Sequence, residues 1–228
     1  MNKFANTLGL LALTAPGAAS CYQYLMSQAL EMSQQSHNPE IIMYQPDAYD
    51  FMEDVKTQNW PSLVQHLLDA LGHLKNLGAD IIGIPVNTIH LVIDDVIKAS
   101  PVRIINLLDV VVDFLKKSNY RQPLIIGTYP TMTQLYPPVM KSHGFHPVQL
   151  EDTMMKNIDA EIHGRLVPMK NIHHAKNSIL SMVKPYVKNS DVIIKACTEL
   201  HLVFDSYFEN KPCIDTTELL AQALLKDL

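Results

Sequence analysis

The sequence predicts an α/β protein of two pseudo-symmetric domains, each with a parallel sheet flanked by helices. Short apolar runs rich in β-branched residues alternate with stretches of helical periodicity, which is typical of parallel sheets covered on both faces. Two segments of the first half also recur in the second at nearly the same offset. Leu10–Pro16 recurs as Leu124–Pro130 after 114 residues, and Asp80–Val92 recurs as Asp191–Val203 after 111 residues. The chain therefore contains a duplicated unit of about 110 residues.

Seven apolar runs are predicted as strands, and the helices lie between them. The runs are 8–13, 40–44, 80–86, 102–105, 123–127, 146–149 and 191–197. The clearest helix follows the second run, where leucines recur at spacings of three or four residues. These leucines are Leu63, Leu67, Leu71 and Leu74. Because such short strands are buried between helices, we expect each half to fold around its own sheet.

The N-terminal segment allows two interpretations. Lys3, the apolar run 8–13 and Cys21 together resemble an export signal with a lipidated cysteine. However, a single lysine precedes the run, and Pro16-Gly17 ends it early. The same strand-and-turn pattern also recurs in mid-chain, where no export signal functions. We therefore expect a buried first strand in a cytoplasmic protein.

The composition argues against several classes of protein. Of the 228 residues, 47% are hydrophobic and 18% are charged, which is too apolar for a disordered chain. No apolar run reaches the roughly 20 residues that cross a bilayer, so no membrane association is expected. The net charge is −5 with scattered basic residues, so no nucleic-acid partner is expected. The three cysteines and ten histidines lack metal-binding spacing and predict free thiols without a metal.

Polar side chains follow the predicted strands at the edge where α/β proteins bind ligands, outside the carboxyl ends of parallel strands. These residues are Thr14, Asn87, Thr88, Thr128 and Thr198. Backbone N–H groups at a strand-to-helix turn suit a carboxylate, and Asn and Thr side chains add donors without adding charge. With two such domains facing each other, we expect the site in the cleft between them.

Cys197 stands in the repeated turn, directly before Thr198-Glu199. A cysteine at a helix start has its thiolate stabilised and can act as a base or nucleophile at neutral pH. The alternative interpretation is a small buried hydrophobe. The place of Cys197 in the repeated turn favours the chemical role, whereas Cys21 and Cys213 are expected to serve packing.

Four segments together resemble the aspartate/glutamate racemase family, and the likeness covers nearly the whole chain. They are Gly78–His90, Gly127–Met132, Ala196–Leu200 and Ile214–Thr217. The likeness is greatest to the branch of broad-specificity amino-acid and aspartate racemases. The resemblance implies two α/β domains, with the C-terminal segment returning to the first. The predicted domains are 1–103 plus 208–228, and 104–207.

The resemblance also implies a chemistry. In this family two thiols move the proton on the α-carbon of an amino acid, one thiol on each face, without pyridoxal phosphate or another cofactor. The partner would be a small-molecule amino acid or related carboxylate. A homodimer is the assembly that the resemblance suggests, although no apolar stripe in the sequence identifies an interface.

The sequence departs from the family at the first thiol. Val86 stands directly before Asn87-Thr88, where a cysteine is expected. Valine neither accepts nor donates a proton, so a symmetrical two-thiol racemase is excluded. Removal of one catalytic base typically costs about 10²–10⁴-fold in rate, which leaves room for residual activity. His90 is a candidate second base, but His201 holds the equivalent place in the other half, which favours a shared structural role.

Three functions stay open from the sequence. The first is a racemase-family enzyme in which Cys197 is the only thiol base. The second is a decarboxylase-like enzyme that uses this single cysteine, and the third is a catalytically impaired protein that binds an amino acid or carboxylate. In all three the carboxylate would be held chiefly by Asn87, Thr88, Thr128 and Thr198, with smaller contributions from Thr14 and Thr131.

A preference for aspartate or glutamate is not expected. Members of the family that select acidic amino acids hold the distal carboxylate with basic side chains. No arginine follows the second strand, where the sequence is Tyr44–Asp47. In the later segment only His163 and Arg165 could serve. In addition, Leu13 would crowd a loop that normally lies close to the ligand.

Overall fold

The computed structural model describes residues 4–32 and 37–228, and the chain divides into two compact units. The first unit comprises the chain up to Val110 together with Thr217–Leu228, and the second is Val111–Thr216. The boundaries predicted from the sequence, 103/104 and 207/208, lie at lower residue numbers. The second boundary is shifted because Lys211–Asp215 pairs with a strand of the second unit.

The first unit is a four-stranded parallel sheet of order β2-β1-β3-β4 with helices around it. Its elements are β1 (Leu8–Leu11), α1 (Ala15–Met32), β2 (Ile41–Tyr44), α2 (Tyr49–Thr57), α3 (Trp60–Asn76), β3 (Ile81–Gly83), a 3₁₀ turn (Thr88–Val92), α4 (Ile93–Ala99) and β4 (Arg103–Ile104). Helix α5 (Leu107–Lys117) follows and contains the division at Val110. Leu8 of β1 is in register with both Ile41 and Ile81.

The N-terminal apolar run is a strand in the middle of this sheet, as the sequence predicts. All four residues of β1 are buried, because neighbouring strands lie on both sides of it. Cys21 is fully buried in α1, in agreement with its expected packing role. The leucine stripe of α3 is likewise fully buried. Within the described residues, no helix has the length and apolar character that a membrane span requires.

The C-terminal helix completes the first unit. Helix α9 (Thr216–Lys226) places Leu224 against β3, where a Cβ on Gly83 would lie only 2.6 Å from Leu224 Cδ1. The chain end is also bonded to the beginning, since the Ala5 N–H donates to the Leu228 carbonyl at 2.9 Å. Arg103 and Asp227 form an ion pair at 2.8 Å.

The second unit has the sheet order β5-β6-β8-β7. Its elements are β5 (Pro123–Gly127), a π-helical turn (Thr131–Leu135), α6 (Tyr136–Ser142), α7 (Asp152–Glu161), a second π-helical turn (Ile162–Leu166), α8 (Ile172–Val187), β6 (Val192–Ala196), a 3₁₀ turn (Thr198–Leu202), β7 (Tyr207–Phe208) and β8 (Lys211–Asp215). Strands β5 and β6 are parallel, as predicted, β8 is parallel to β6, and β7 is antiparallel to β8, so this sheet is mixed.

Neither β7 nor β8 is predicted from the sequence. The two strands form a hairpin in which Phe208 pairs with Lys211 across the two-residue loop Glu209-Asn210. Both loop residues have positive φ, 46° and 62°, as a type I′ turn requires. Asn tolerates this conformation but Glu does so poorly, so the dipeptide lacks the usual Asn-Gly signature of such a turn.

The predicted strand 146–149 is wrong, although the segment runs where a strand would. The N–H groups of His146 and Val148 donate to the carbonyls of Arg121 and Pro123, at 2.9 and 3.0 Å. A parallel ladder here also needs a bond in the other direction from residue 123. Proline has no N–H to donate, so the pairing stays one-sided.

The duplication extends to single side chains. Asp80 and Asp191, which the repeat aligns, each stand just before the second strand of their sheet pair. The Asp80 carboxylate accepts a hydrogen bond from the Thr7 N–H at 2.9 Å. The Asp191 carboxylate accepts one from the Gln122 N–H at 2.9 Å and another from the Arg121 N–H. In both units one carboxylate thus fixes the start of the neighbouring strand.

Candidate active site

Cys197 lies at the carboxyl end of β6, where the strand passes into the 3₁₀ turn Thr198–Leu202. Its side chain is partly buried, and its thiol donates a hydrogen bond to Glu199 Oε2 at 3.0 Å. The hydroxyl of Thr198 donates to the same oxygen at 2.8 Å. Glu199 is buried, with 4% of its surface exposed. The three consecutive residues therefore form one compact polar cluster.

The electrostatics of this cluster favour the protonated thiol. Burial raises the pKa of Cys197 well above its ordinary value, and the negative charge of Glu199 and its hydrogen bond to the thiol raise it further. The backbone N–H of Glu199 acts in the opposite direction but more weakly. The sequence predicts a stabilised thiolate; this is wrong for the structure, because the sulfur is buried, a carboxylate faces it and the following turn has only five residues.

Two threonines lie at the carboxyl end of β5, beside the end of β6. Thr128 and Thr131 are both buried, and their hydroxyls are 2.8 Å apart in a hydrogen bond. Gly127 permits this arrangement, because a Cβ there would lie 2.7 Å from the Ala196 carbonyl oxygen and 3.0 Å from Thr131 Cγ2. The structure thus brings Thr128, Thr131, Cys197 and Thr198 to one edge of one sheet.

A buried ion pair connects β6 to its other neighbour, β8. Lys195 of β6 and Asp215 of β8 are in register, and Nζ lies 3.4 Å from Oδ2. Both residues are buried, with 6% and 1% of their surface exposed. The Thr216 hydroxyl donates to the Lys195 carbonyl at 3.1 Å. No role was predicted from the sequence for Lys195, Asp215 or Glu199. A lysine inside an apolar strand, such as Lys195, could have indicated a buried acidic partner.

Helix α7 and the turn after it are attached to this edge at two points. The carboxylate of Asp159 accepts a hydrogen bond from the Tyr129 N–H at 2.7 Å, directly beyond Thr128. The turn Ile162–Leu166 packs against the turn Thr198–Leu202 that follows Cys197. Arg165, which the sequence analysis considered for a distal carboxylate, is bonded to Glu161 at 2.7 Å.

The first unit presents its predicted residues at the carboxyl ends of β1 and β3. Asn87 is buried, and Val86, Thr88 and Thr14 are partly buried. The Thr14 hydroxyl oxygen is inaccessible and has no hydrogen-bond partner within the described residues. The strands β1 and β3 are neighbours in the sheet, so these four residues share one edge.

His90 is buried in the turn after β3. Its Nδ1 lies 2.9 Å from the Val86 carbonyl, and because a carbonyl only accepts, Nδ1 carries the hydrogen. Its Nε2 has no partner among the residues that the structure describes. Burial lowers the pKa of His90 to about 4, against smaller opposing effects of two backbone hydrogen bonds. His201 likewise directs Nδ1 at a carbonyl of its own turn, that of Thr198, at 2.6 Å.

The equivalent of Cys197 in the first unit depends on the reference point. Aligned through Asp80 and Asp191, the equivalent residue is Val86. Aligned through the first hydrogen bond of each turn, which runs from Leu200 to Cys197 and from His90 to Asn87, it is Asn87. Neither side chain acts as an acid or base at neutral pH, and neither alignment places a thiol in this turn. Within residues 4–32 and 37–228, no group of three His, Cys, Asp or Glu side chains is placed to hold a metal.

Solved structures share this architecture. An aspartate racemase homologue from Pyrococcus horikoshii superposes with a TM-score of 0.81 at 23% identity, over 97% of this chain and 98% of that one. The aspartate racemase of Picrophilus torridus superposes with a TM-score of 0.78 at 20% identity, over 97% and 93% of the two chains. The fold is therefore that of the two-domain racemases.

The sequence leads to the same class of protein. The profile of Asp/Glu/hydantoin racemases matches residues 10–224, and the chain belongs to this family. The broad-specificity amino-acid racemase RacX of Bacillus subtilis is 23% identical over 158 residues, which is 69% of this chain and 68% of that protein.

Proposed function

We propose that this protein is a cytoplasmic, cofactor-independent enzyme of the amino-acid racemase type, in which Cys197 is the only thiol base. It would move the proton on the α-carbon of an amino acid or related carboxylate. The observation that carries the proposal is the cluster at the end of β6, where the Cys197 thiol and the Thr198 hydroxyl share one oxygen of the buried Glu199.

The proton steps balance within this cluster. Transfer of the thiol proton to Glu199 Oε2 leaves a thiolate and a neutral carboxylic acid. The thiolate takes the proton from the α-carbon, which restores the thiol and leaves a carbanion. The carbanion then recovers a proton from the same thiol, and Glu199 returns its proton to the sulfur. A thiol exchanges its hydrogen with solvent. The substrate would therefore exchange its α-proton with solvent on one face, without inversion.

The substrate carboxylate would be held by donors at the strand ends. Asn87 and Thr88 would serve in the first unit, and Thr128 and Thr198 in the second. Thr14 and Thr131 would contribute less. Uncharged donors directed at the carboxylate stabilise the charge that spreads onto it when the α-carbon loses its proton, and they do so without reorganisation.

Inversion needs a proton donor on the opposite face, and the first unit offers no thiol there. In the proposal His90 keeps a positioning role. Its Nδ1 hydrogen is committed to the Val86 carbonyl, and with a pKa of about 4 the ring is neutral near pH 7 and weakly basic. A neutral Nε2 has no hydrogen to deliver to a carbanion.

Two observations favour a second candidate function, a relative that binds an amino acid without turning it over. They are the aliphatic side chain of Val86 and the raised pKa of Cys197. A decarboxylase-like reaction is also compatible with one thiol, because protonating a carbanion from one face needs only one acid. The experiment below separates proton transfer from binding without turnover.

The test is α-proton exchange in deuterated water, followed by NMR with L- and D-amino acids, and Cys197→Ser is the control. Exchange of one enantiomer alone, lost in the control, is the expected result. Inversion of both enantiomers would contradict the single-base mechanism and make His90 the next residue to substitute. If ligands stabilise the protein against heat but no exchange occurs, the binding function replaces the proposal.

A gain-of-function variant adds a second test. In Val86→Cys the turn of the first unit regains a thiol, and exchange of one enantiomer should become inversion of both. Val86→Thr is the matched control, because it has a similar size but no group that titrates near neutral pH. If Val86→Cys exchanges like the natural protein, the missing thiol is not the cause of the asymmetry.

A further inference from the structure

The segment Asp152–Leu166, made of helix α7 and the turn after it, lies at the carboxyl edge of the second sheet. Asp159 is bonded to the Tyr129 N–H, beyond β5, and Ile162–Leu166 packs against the turn beyond β6. Charged side chains of this segment therefore lie near the ends of both strands.

The cations of this segment are already paired with acids. Arg165 Nη1 lies 2.7 Å from Glu161 Oε2, and Lys156 Nζ lies 2.7 Å from Asp152 Oδ2. His163 Nε2 lies 3.5 Å from Asp159 Oδ1. Apart from the histidine, the segment carries three acids and two bases. The segment therefore has no surplus positive charge with which to bind a second carboxylate of a ligand.

The charged residues close to Cys197 in the sequence do not add free positive charge either. The nearest buried cation on the same strand, Lys195, is paired with Asp215. Glu199 adds a further buried carboxylate beside the thiol. A ligand that brings a second carboxylate to this edge would meet negative charge without a free counter-ion, and such unpaired charge is an effective means of rejection.

We infer that the pairing of Arg165 with Glu161 makes the site selective for amino acids whose side chains carry no carboxylate. The inference deepens the proposed function and rests on it. Glu161 would be the specificity-determining residue, because it holds the one guanidinium of the segment. An arginine fork matches a carboxylate geometrically, so the same arginine would accept a distal carboxylate if Glu161 did not occupy it.

The test compares alanine and methionine with aspartate and glutamate as substrates for α-proton exchange. We expect the neutral amino acids to exchange at least about tenfold faster, the cost of one unmet charged hydrogen bond. In Glu161→Gln the aspartate-to-alanine ratio of kcat/KM should rise by about tenfold for the same reason. Glu53→Gln, which removes the acid of an exposed ion pair on α2, should leave the ratio unchanged.

A second variant tests the role of the arginine itself. In the double variant Glu161→Gln/Arg165→Leu the gain for aspartate should disappear. Exchange of alanine should stay within about threefold of Glu161→Gln, because a neutral side chain makes no contact that depends on the guanidinium. A gain that persists without Arg165 would overturn its assignment. Fastest exchange with aspartate or glutamate in the natural protein would overturn the selectivity and leave the proposed function intact.

Binding measurements keep the two proposals separable. Calorimetric titration of Cys197→Ser with L-alanine and with L-aspartate reports selectivity without any proton transfer. If no amino acid exchanges, the proposed function fails, and the titration alone decides the selectivity. Weaker binding of aspartate would then support it, and equal or tighter binding of aspartate would contradict it.

Discussion

The thiol of Cys197 and the carboxylate of Glu199 form one hydrogen-bonded pair, with 3.0 Å between Sγ and Oε2. A carboxylate that accepts from a thiol favours the acid form of the sulfur over the thiolate. The resting state of this site is thus a proton donor rather than a base. In the proposed mechanism, removal of the α-proton by Cys197 requires that the substrate, or a proton on Glu199, shift this balance toward the thiolate.

Substitution of Glu199 should make the thiol more reactive. In Glu199→Gln the negative charge that raises the pKa of Cys197 is removed, so the thiolate fraction near neutral pH should increase. We expect alkylation of Cys197 by iodoacetamide to accelerate by about tenfold below the pKa, since one pKa unit is tenfold in thiolate. Mass spectrometry of the Cys197 peptide between pH 6 and 10 measures it.

The matched control for that experiment is Glu209→Gln, which removes an acid from an ion pair with Lys184 at the far end of the unit's strands. Its alkylation profile should equal that of the natural protein. Slower or unchanged alkylation in Glu199→Gln would show that the carboxylate does not hold the thiol in its acid form.

His90 should make the protein less stable in acid. Its pKa in the folded state is about 4, below the 6.5 of the unfolded chain, because it is buried. The unfolded chain therefore binds the proton more tightly than the folded protein. The contribution of the neutral His90 to the free energy of unfolding is complete above about pH 6.5 and is lost as the pH falls toward 4. Between pH 7.5 and 5 the loss is about 2 kcal/mol.

Urea unfolding of the natural protein and of His90→Gln at these two pH values measures this contribution. The variant starts from a lower stability, since it loses the bond to the Val86 carbonyl, but it should lose about 2 kcal/mol less on acidification. The exposed His143→Gln serves as the control. Parallel pH dependence in the natural protein and His90→Gln would refute the buried neutral imidazole.

The ion pair between Lys195 and Asp215 should be costly to break from one side. Lys195→Met leaves the Asp215 carboxylate buried without its cation, and we expect a loss of about 3 kcal/mol in the free energy of unfolding. Adding Asp215→Asn should recover much of that loss. Lys184→Met breaks an exposed pair and should cost less than about 1 kcal/mol; equal costs at both lysines would contradict the prediction.

Two glycines should respond oppositely to alanine. In Gly127→Ala the new Cβ meets the Ala196 carbonyl oxygen, which is backbone and cannot move aside, and we expect a loss of about 1–3 kcal/mol. In Gly72→Ala, within α3, nothing lies within 4 Å of the new Cβ, so helix propensity should add about 0.5–1 kcal/mol. Urea midpoints measure both, and a stabilised Gly127→Ala would disprove the close approach of β5 and β6.

The sequence was sufficient for the features that repeat. Asp80 and Asp191 could be aligned because the two halves still carry the same strand, turn and helix in the same order. The structure then gives both carboxylates the same task, binding the N–H groups at the start of a neighbouring strand. The α/β class, the two sheets and the stripe of α3 follow from periodicity, which is local and strong.

The features that the sequence did not disclose depend on single atoms. The pairing at 146–149 lacks a return hydrogen bond at Pro123, which has no N–H and lies more than twenty positions away. The turn of the β7–β8 hairpin contains a glutamate with positive φ, and no sequence pattern predicts that conformation for glutamate. The pKa of Cys197 is raised by burial of the thiol and then further by Glu199, whose carboxylate accepts the hydrogen bond of the thiol. The placement of the site between the two units stays a prediction.

Because α9 packs in the first unit, it determines the order in which the two units can fold. The second unit is one continuous stretch that ends at Thr216, whereas the first also needs Thr217–Leu228. During synthesis the second unit has all its residues before α9 leaves the ribosome, so it is free to fold while the first waits. Until then β3 lacks the cover of Leu224 over Gly83. A chain that stops a dozen residues early would carry a whole second unit and an unfinished first one.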